Sequence, residues 1–104
     1  MISAQRRSPR YPFFASANII EQGTGVRLTS RTSELSRHGC YLDMMNPLPI
    51  GSIIEIEIVN HEKTLESRGH VIYAQSNMGM AVAFDELSGR DTQILENWLR
   101  QLKG

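Results

Sequence analysis

Apolar and polar residues alternate along most of this chain. The clearest stretch is 52–59, where Ile54, Ile56 and Ile58 alternate with two glutamates, and this period of two is typical of a half-buried β-strand. The pattern predicts six strands, at residues 11–20, 26–35, 39–44, 52–59, 64–75 and 80–84. The residues predicted to share one face within a strand are Phe13, Ala15, Ala17, Ile19, Val26, Leu28, Ile54, Ile56, Ile58, Leu65, Val71, Tyr73, Met80, Val82 and Phe84.

Near residue 88 the apolar spacing changes from that of a strand to that of a helix. Ser88 followed by Asp91 is similar to a capping box, although Glu or Gln is preferred at the second position. The predicted helix occupies residues 87–104 and has one apolar stripe. Its members are Ile94, Leu95, Trp98, Leu99 and Leu102. A stripe with a tryptophan suits a lid over the open end of a barrel.

Short polar or glycine-rich turns separate the predicted strands. Six short strands with such turns favour an antiparallel sandwich or barrel, and the strand count alone does not choose between them. Gly69 interrupts the fifth strand, which predicts a bulge or a sharp bend there.

Composition indicates one globular domain. The chain has 104 residues, of which 40% are hydrophobic and 21% charged, which are values of folded domains. No apolar run approaches the roughly 20 residues that span a bilayer, and no apolar segment follows the basic N-terminus as a signal peptide requires. The single cysteine, Cys40, is compatible with a reducing cytoplasm, so we expect a cytoplasmic protein.

Charge is unevenly distributed although the formal net charge is zero. Residues 1–40 contain six arginines and two acids, a balance of +4, and residues 41–104 contain five bases and nine acids, a balance of −4. This asymmetry favours a local anion site in the first part of the chain. A general nucleic-acid binder is more often basic overall.

Three of these arginines, Arg6, Arg7 and Arg10, fall within five positions near the N-terminus. The guanidinium fork suits phosphate oxygens and the O6/N7 edge of guanine, and its flat face stacks on bases. Pro9 fixes its own φ and favours extended backbone before it. Residues 1–10 are therefore predicted to form a flexible basic arm.

A second motif, Glu34-x-Ser36-x-x-Gly39, lies between two predicted strands. Together with Arg6-x-x-x-Arg10 it resembles the two-part signature of PilZ domains, RxxxR followed by (D/N)xSxxG. The likeness continues through residues 39–42 and 79–84 to the C-terminal helix. One position departs, because Glu34 stands where the family has Asp or Asn.

The resemblance implies a mainly β fold, a six-stranded antiparallel barrel at 11–86 preceded by the arm and followed by the helix. It also implies a receptor for the bacterial messenger cyclic di-GMP, with no catalytic residue, metal or cofactor. By resemblance, Arg6 and Arg10 grip guanine edges and phosphates, and Arg7 is an extra cation that stacks on a base or meets a second ligand.

The second motif has two explanations at each position. Glu34, one methylene longer than Asp, either accepts from a guanine edge or pairs with Arg31 or Arg37 at the surface. Ser36 either bonds the ligand or holds the corner as a side-chain turn. Gly39 either lets backbone approach the ligand or permits a positive-φ corner.

The mechanism we expect is ordering of the arm across the barrel when ligand phosphates neutralise its arginines. The changed surface would signal to a partner protein in trans, and the receptor would be a monomer or a ligand-mediated dimer.

Two other classes compete with a receptor. One is a PilZ-like adaptor that binds protein and no nucleotide, and the other is a small barrel that binds RNA or single-stranded DNA, which needs stacking aromatics on a basic surface. An enzyme is not expected, because Cys40 and His38 have no third group to orient them. The histidines lack metal-ligand spacing.

Overall fold

The computed structural model describes residues 8–104, so Arg6 and Arg7 lie outside the described part of the chain. Seven strands and one helix follow one another. They are β1 (Tyr11–Pro12), β2 (Ser16–Glu21), β3 (Arg27–Leu35), β4 (Gly39–Asp43), β5 (Ile53–Asn60), β6 (Lys63–Gln75), β7 (Gly79–Glu86) and α1 (Gly89–Lys103).

The sheet closes on itself. Its strand order is β1-β3-β2-β5-β6-β7-β4, every pairing is antiparallel, and β4 also pairs with β3. Strands β2 to β7 thus form a closed six-stranded barrel, which leaves none of these six as a free edge. The two-residue β1 pairs with the end of β3, beside β2. The predicted six-stranded antiparallel barrel with a C-terminal helix is confirmed.

The core is filled by the predicted inward faces. Three isoleucines of β5, Ile54, Ile56 and Ile58, are buried, as are Phe13, Ala15, Ala17 and Ile19. Leu28 and Phe84 are partly buried against the same core. Two assignments were wrong. Val26 is exposed because it lies in the β2–β3 connection, where its carbonyl accepts from the Glu21 amide.

Contrary to the prediction, Tyr73 does not share the buried face of Leu65 and Val71 but is half exposed. Val71 pairs with Val82 of β7, and Tyr73 pairs with Ala81. Between these two pairs β6 advances by two residues and β7 by one. Ile72 is therefore the extra residue of a β-bulge, which reverses the alternation beyond it. Ala74 takes the inward position and packs against the core.

The predicted irregularity at Gly69 is confirmed. The pairing of β6 with β7 shifts between Arg68 and Gly69. A Cβ on Gly69 would lie 2.6 Å from the Ala83 carbonyl oxygen, so the two strands approach more closely here than a side chain allows.

Helix α1 covers one end of the barrel. The Ser88 hydroxyl accepts from the Asp91 amide at 3.0 Å and donates to the Asp91 carboxylate at 2.6 Å, so the predicted cap is present. The same carboxylate accepts from the Glu66 amide at 3.0 Å and ties the helix start to β6. Trp98 is buried, and its ring centroid lies 5.1 Å from that of Phe13, as expected of a lid.

The predicted strand at 11–20 is broken at residues 13–15, and the fully buried Thr32 of β3 fills the break. From Ala15 to Phe13 the first strand advances two residues while its backbone partners on β3 advance one, from Thr32 to Ser33. The Thr32 hydroxyl bridges the gap: it accepts from the Ala15 amide at 3.0 Å and donates to the Phe13 carbonyl at 2.6 Å.

We expect Thr32→Val to lower the free energy of unfolding by about 2–4 kcal/mol, because two buried backbone groups lose their partner. Thr32→Ser keeps the hydroxyl and should recover most of that loss. Denaturant unfolding of the three proteins measures the difference. A valine variant as stable as the wild type would show that the hydroxyl bridge does not stabilise the barrel.

Candidate functional site

A cleft of about 190 Å³ lies at the rim of the barrel, where β3 turns into β4. Arg10, Glu34, Ser36 and Gly39 all line it. The structure thus brings together every described residue of the two sequence motifs. Arg6 and Arg7, predicted to belong to the same site, lie outside the described residues.

Arg10 reaches the cleft because β1 is paired with the end of β3. Tyr11 lies opposite Leu35 and Pro12 opposite Glu34. Extending that register by one residue places Arg10 beside Ser36. The first motif, at the N-terminal side of β1, is therefore held against the second motif, at the C-terminal end of β3.

Glu34 faces outwards because of a second β-bulge. The pairing of β3 with β4 passes from Thr32–Leu42 to Glu34–Tyr41, so Ser33 is an extra residue on β3. Regular alternation would put Glu34 on the same face as the buried Thr32. The bulge instead turns Leu35 into the core and leaves Glu34 half-buried in the cleft.

The surface ion pair considered for Glu34 is not formed with residues 8–104. Arg31 instead pairs with Asp43, with 3.2 Å between Arg31 Nη2 and Asp43 Oδ2, and its guanidinium lies 5.4 Å from the centre of the Phe14 ring. With respect to residues 8–104, the Glu34 carboxylate can accept hydrogen bonds within the cleft that it lines.

Ser36 is engaged in the corner itself. Its hydroxyl accepts from the amides of His38 and Gly39, both at 3.2 Å. Its own amide donates to the Gly39 carbonyl at 2.8 Å. Of the two explanations open for this serine, these bonds favour the side-chain turn.

Gly39 is required for a reason that sequence reasoning missed. Its φ is not among the positive values of this chain, so the positive-φ explanation was wrong. Gly39 pairs with Ala83 of β7, and a Cβ there would lie 2.0 Å from the Val82 carbonyl oxygen. The absent side chain lets β4 approach β7 and close the barrel next to the cleft.

The floor of the cleft is apolar. Tyr41 and Tyr73 lie on either side of Ala81 on the outer surface, and the exposed Ile72 lines the cleft. Burial raises the pKa of Tyr41, and the nearby Tyr73, Asp43 and Glu34 add to that effect, so this phenol stays neutral. No sequence pattern pointed to Ile72 and Tyr73 beside the cleft, since their position depends on the β6 bulge.

Cys40 is buried in the wall of the cleft. Burial raises the pKa of its thiol to about 12, so the nucleophilic thiolate is not populated near neutral pH. Among residues 8–104, no group of three or more His, Cys, Asp or Glu side chains is arranged to hold a metal ion. In that same range, no helix has the length and apolarity needed to cross a membrane.

Fold and cleft together define a small closed β-barrel with a site at its rim that combines a cation, a carboxylate and an apolar floor. The sequence model of the PilZ domain matches residues 4–101. The chain therefore belongs to the PilZ domain family. No curated protein sequence matches it.

Solved structures with the same fold include three PilZ proteins. The PilZ domain of CeSA from a cellulose-synthesizing bacterium is 17% identical, with a TM-score of 0.72 over 92% of this chain and 99% of that one. The Escherichia coli YcgR PilZ domain, solved with c-di-GMP, is 16% identical, with a TM-score of 0.71 over 95% and 92%. The Bacillus subtilis inhibitor of motility MotI is 16% identical, with a TM-score of 0.72 over 94% of this chain and 52% of MotI.

We expect Gly39→Ala to lower the free energy of unfolding by at least about 2 kcal/mol, because the new methyl group forces β4 away from β7. Gly89→Ala is the matched control. A Cβ there meets no atom within 4 Å, and alanine favours the helix that begins at Gly89. Thermal unfolding of both variants measures the effect, and equal stability of the two would contradict the close strand contact.

We expect Cys40 to resist iodoacetamide in the folded protein at about pH 8, because its thiol is buried and protonated. Unfolding in guanidinium should expose the thiol and make alkylation fast. Intact mass spectrometry over time follows the reaction. Rapid alkylation of the folded protein would show that the cleft wall opens to solvent.

Proposed function

We propose that this PilZ domain binds cyclic di-GMP through Arg6, Arg7, Arg10, Glu34, Ser36 and Gly39. The observation that carries the proposal is the meeting of Arg10 with the Glu34-x-Ser36-x-x-Gly39 corner in one cleft. These residues come from two distant segments of the chain, and neither segment forms such a site alone. The c-di-GMP bound by the PilZ domain of YcgR supports the choice of ligand.

The chemistry of the cleft suits one guanine end of the ligand. The Arg10 guanidinium can donate to the guanine O6/N7 edge or to a phosphate. The Glu34 carboxylate can accept hydrogen bonds from guanine N1–H and N2–H₂. A base that lacks these donors cannot form those bonds. The apolar floor beside Tyr41 gives the flat base a surface on which to pack.

Ser36 and Gly39 contribute to binding by fixing the shape of the backbone corner. Ser36 holds the amides of the corner in place, and Gly39 lets β4 lie close to β7. The ligand would therefore meet a corner whose backbone is already ordered, which lowers the entropy lost on binding.

The volume of the cleft supports a role for the N-terminal arm in ligand binding. At about 190 Å³, it is smaller than the roughly 300–1,000 Å³ of typical small-molecule sites. A dinucleotide would extend beyond the cleft, whose lining includes Ser8. We propose that Arg6 and Arg7 cover this part of the ligand and that binding orders the arm. The ordering cost makes an affinity of about 1 µM reasonable.

Signalling would then depend on a surface beside the cleft. Two stretches, 44–54 and 71–84, contain no charged residue. They are neighbours in space, since the Asn77 amide donates to the Met45 carbonyl and the Gly51 amide to the Val71 carbonyl. The exposed apolar residues on this uncharged surface are Met45, Ile50, Ile53, Ile72, Tyr73 and Met78.

Exposed apolar surface of this kind favours protein contact. We propose that an effector protein in trans reads this uncharged surface together with the ordered arm, and that the receptor works in the cytoplasm, as a monomer or a ligand-mediated dimer. The same surface keeps open the alternative of an adaptor that binds protein without a nucleotide.

We expect cyclic di-GMP to bind the wild type saturably in isothermal titration calorimetry and Arg10→Ala to abolish that binding. Arg27→Ala removes an exposed arginine at the far end of β3 and should bind normally. Titrations with 3′,3′-cyclic GMP-AMP, in which adenine replaces one guanine, and with GTP, which has a single guanine, test whether the site requires two guanines in one cyclic ligand. The stoichiometry separates one ligand from a stacked pair.

Two results of these titrations would contradict the proposal. If no nucleotide binds the wild type up to about 1 mM, an affinity weaker than about −4 kcal/mol, the receptor proposal fails. The adaptor alternative then gains support. Binding that survives Arg10→Ala would instead place the ligand outside the cleft.

A further inference from the structure

Thr32 joins the two segments that carry the proposed binding residues. Its side chain is fully buried and never reaches the cleft. Through its hydroxyl it holds the Phe13 carbonyl at 2.6 Å and the Ala15 amide at 3.0 Å. It is the one β3 residue at which the pairing changes register with both neighbouring strands.

Both register changes determine which way a binding residue faces. On one side, the break opposite Thr32 puts Pro12 against Glu34 and Tyr11 against Leu35, which directs Arg10 to the cleft. On the other side, the extra residue Ser33 turns Glu34 outwards.

Side chains alternate along a strand with a period of two, so a slip of one residue at either place would move Arg10 or Glu34 to the opposite face. The Phe13 amide and the Ala15 carbonyl keep backbone partners on β3. The Phe13 carbonyl and the Ala15 amide, which flank the extra residue Phe14, bond to the Thr32 hydroxyl instead.

We propose that Thr32 is a positioning residue for nucleotide binding: by bridging Phe13 and Ala15, it keeps both Arg10 and Glu34 in the cleft. This inference rests on the proposed function. It adds a residue that belongs to neither motif and touches no ligand. Valine has the same shape as threonine but cannot bridge the two backbone groups, so Thr32→Val releases the junction while leaving the core filled.

The test is calorimetric titration with cyclic di-GMP at a temperature where every variant is folded. We expect Thr32→Val to weaken binding about tenfold or more, and Thr32→Ser, which keeps the hydroxyl, to bind within about threefold of the wild type. Ile58→Val is the control for a destabilised core, since Ile58 is fully buried in β5, away from the cleft. It should bind as the wild type does.

A double-mutant cycle with Glu34→Gln separates positioning from general weakening. If Thr32 acts by placing Glu34, the loss from Thr32→Val should shrink in the glutamine background, so that the two losses do not add. Normal binding by Thr32→Val, an equal loss in Ile58→Val, or strictly additive losses would each overturn the inference. A wild type that binds no nucleotide would overturn the proposed function itself, and with it this extension.

Hydrogen exchange of the wild type provides a measurement that needs no variant. Cyclic di-GMP should slow exchange of the Ala15 amide, which donates to Thr32, by a larger factor than it slows the Ile58 amide. Equal slowing of both amides would show only global stabilisation and would overturn the positioning role.

Discussion

The buried hydroxyl of Thr32 replaces regular backbone pairing where the first strand and β3 change register. Where the first strand and β3 lose their common register, Thr32 supplies the acceptor for the Ala15 amide and the donor for the Phe13 carbonyl. Backbone polar groups in a dry core require such partners. Because the bridge satisfies them, the first strand can carry the extra residue Phe14, beyond which β1 pairs with the end of β3 beside the corner.

The proposed site divides its work between two kinds of residue. Arg10 and Glu34 present charge to the cleft, whereas Ser36 and Gly39 build the corner on which the ligand would rest. The Ser36 hydroxyl is occupied by backbone amides, and Gly39 is needed where β4 meets the Val82 carbonyl. A binding motif can thus consist largely of residues that fix backbone shape, with recognition assigned to few side chains.

Regular features of the fold could be predicted from the sequence, whereas an irregular one could be predicted only where a glycine marks it, as at Gly69. The alternation in β5 and the Ser88–Asp91 cap are local patterns, and both occur as expected. Tyr73 was predicted to share a face with Leu65 and Val71 because counting by two assumes an unbroken register, and the bulge at Ile72 depends on pairing with β7. The part played by Gly39 likewise depends on a strand that is distant in the sequence.

The lid and the cleft are connected by a short piece of chain. Trp98 of α1, the single tryptophan, packs against Phe13, and three residues before Phe13 the chain reaches Arg10. Pro12, between them, has a fixed φ and stiffens this segment. One continuous segment, residues 10–13, therefore lines the cleft at one end and contacts the helix at the other, so a rearrangement at Arg10 would be expected to change the fluorescence of the single tryptophan.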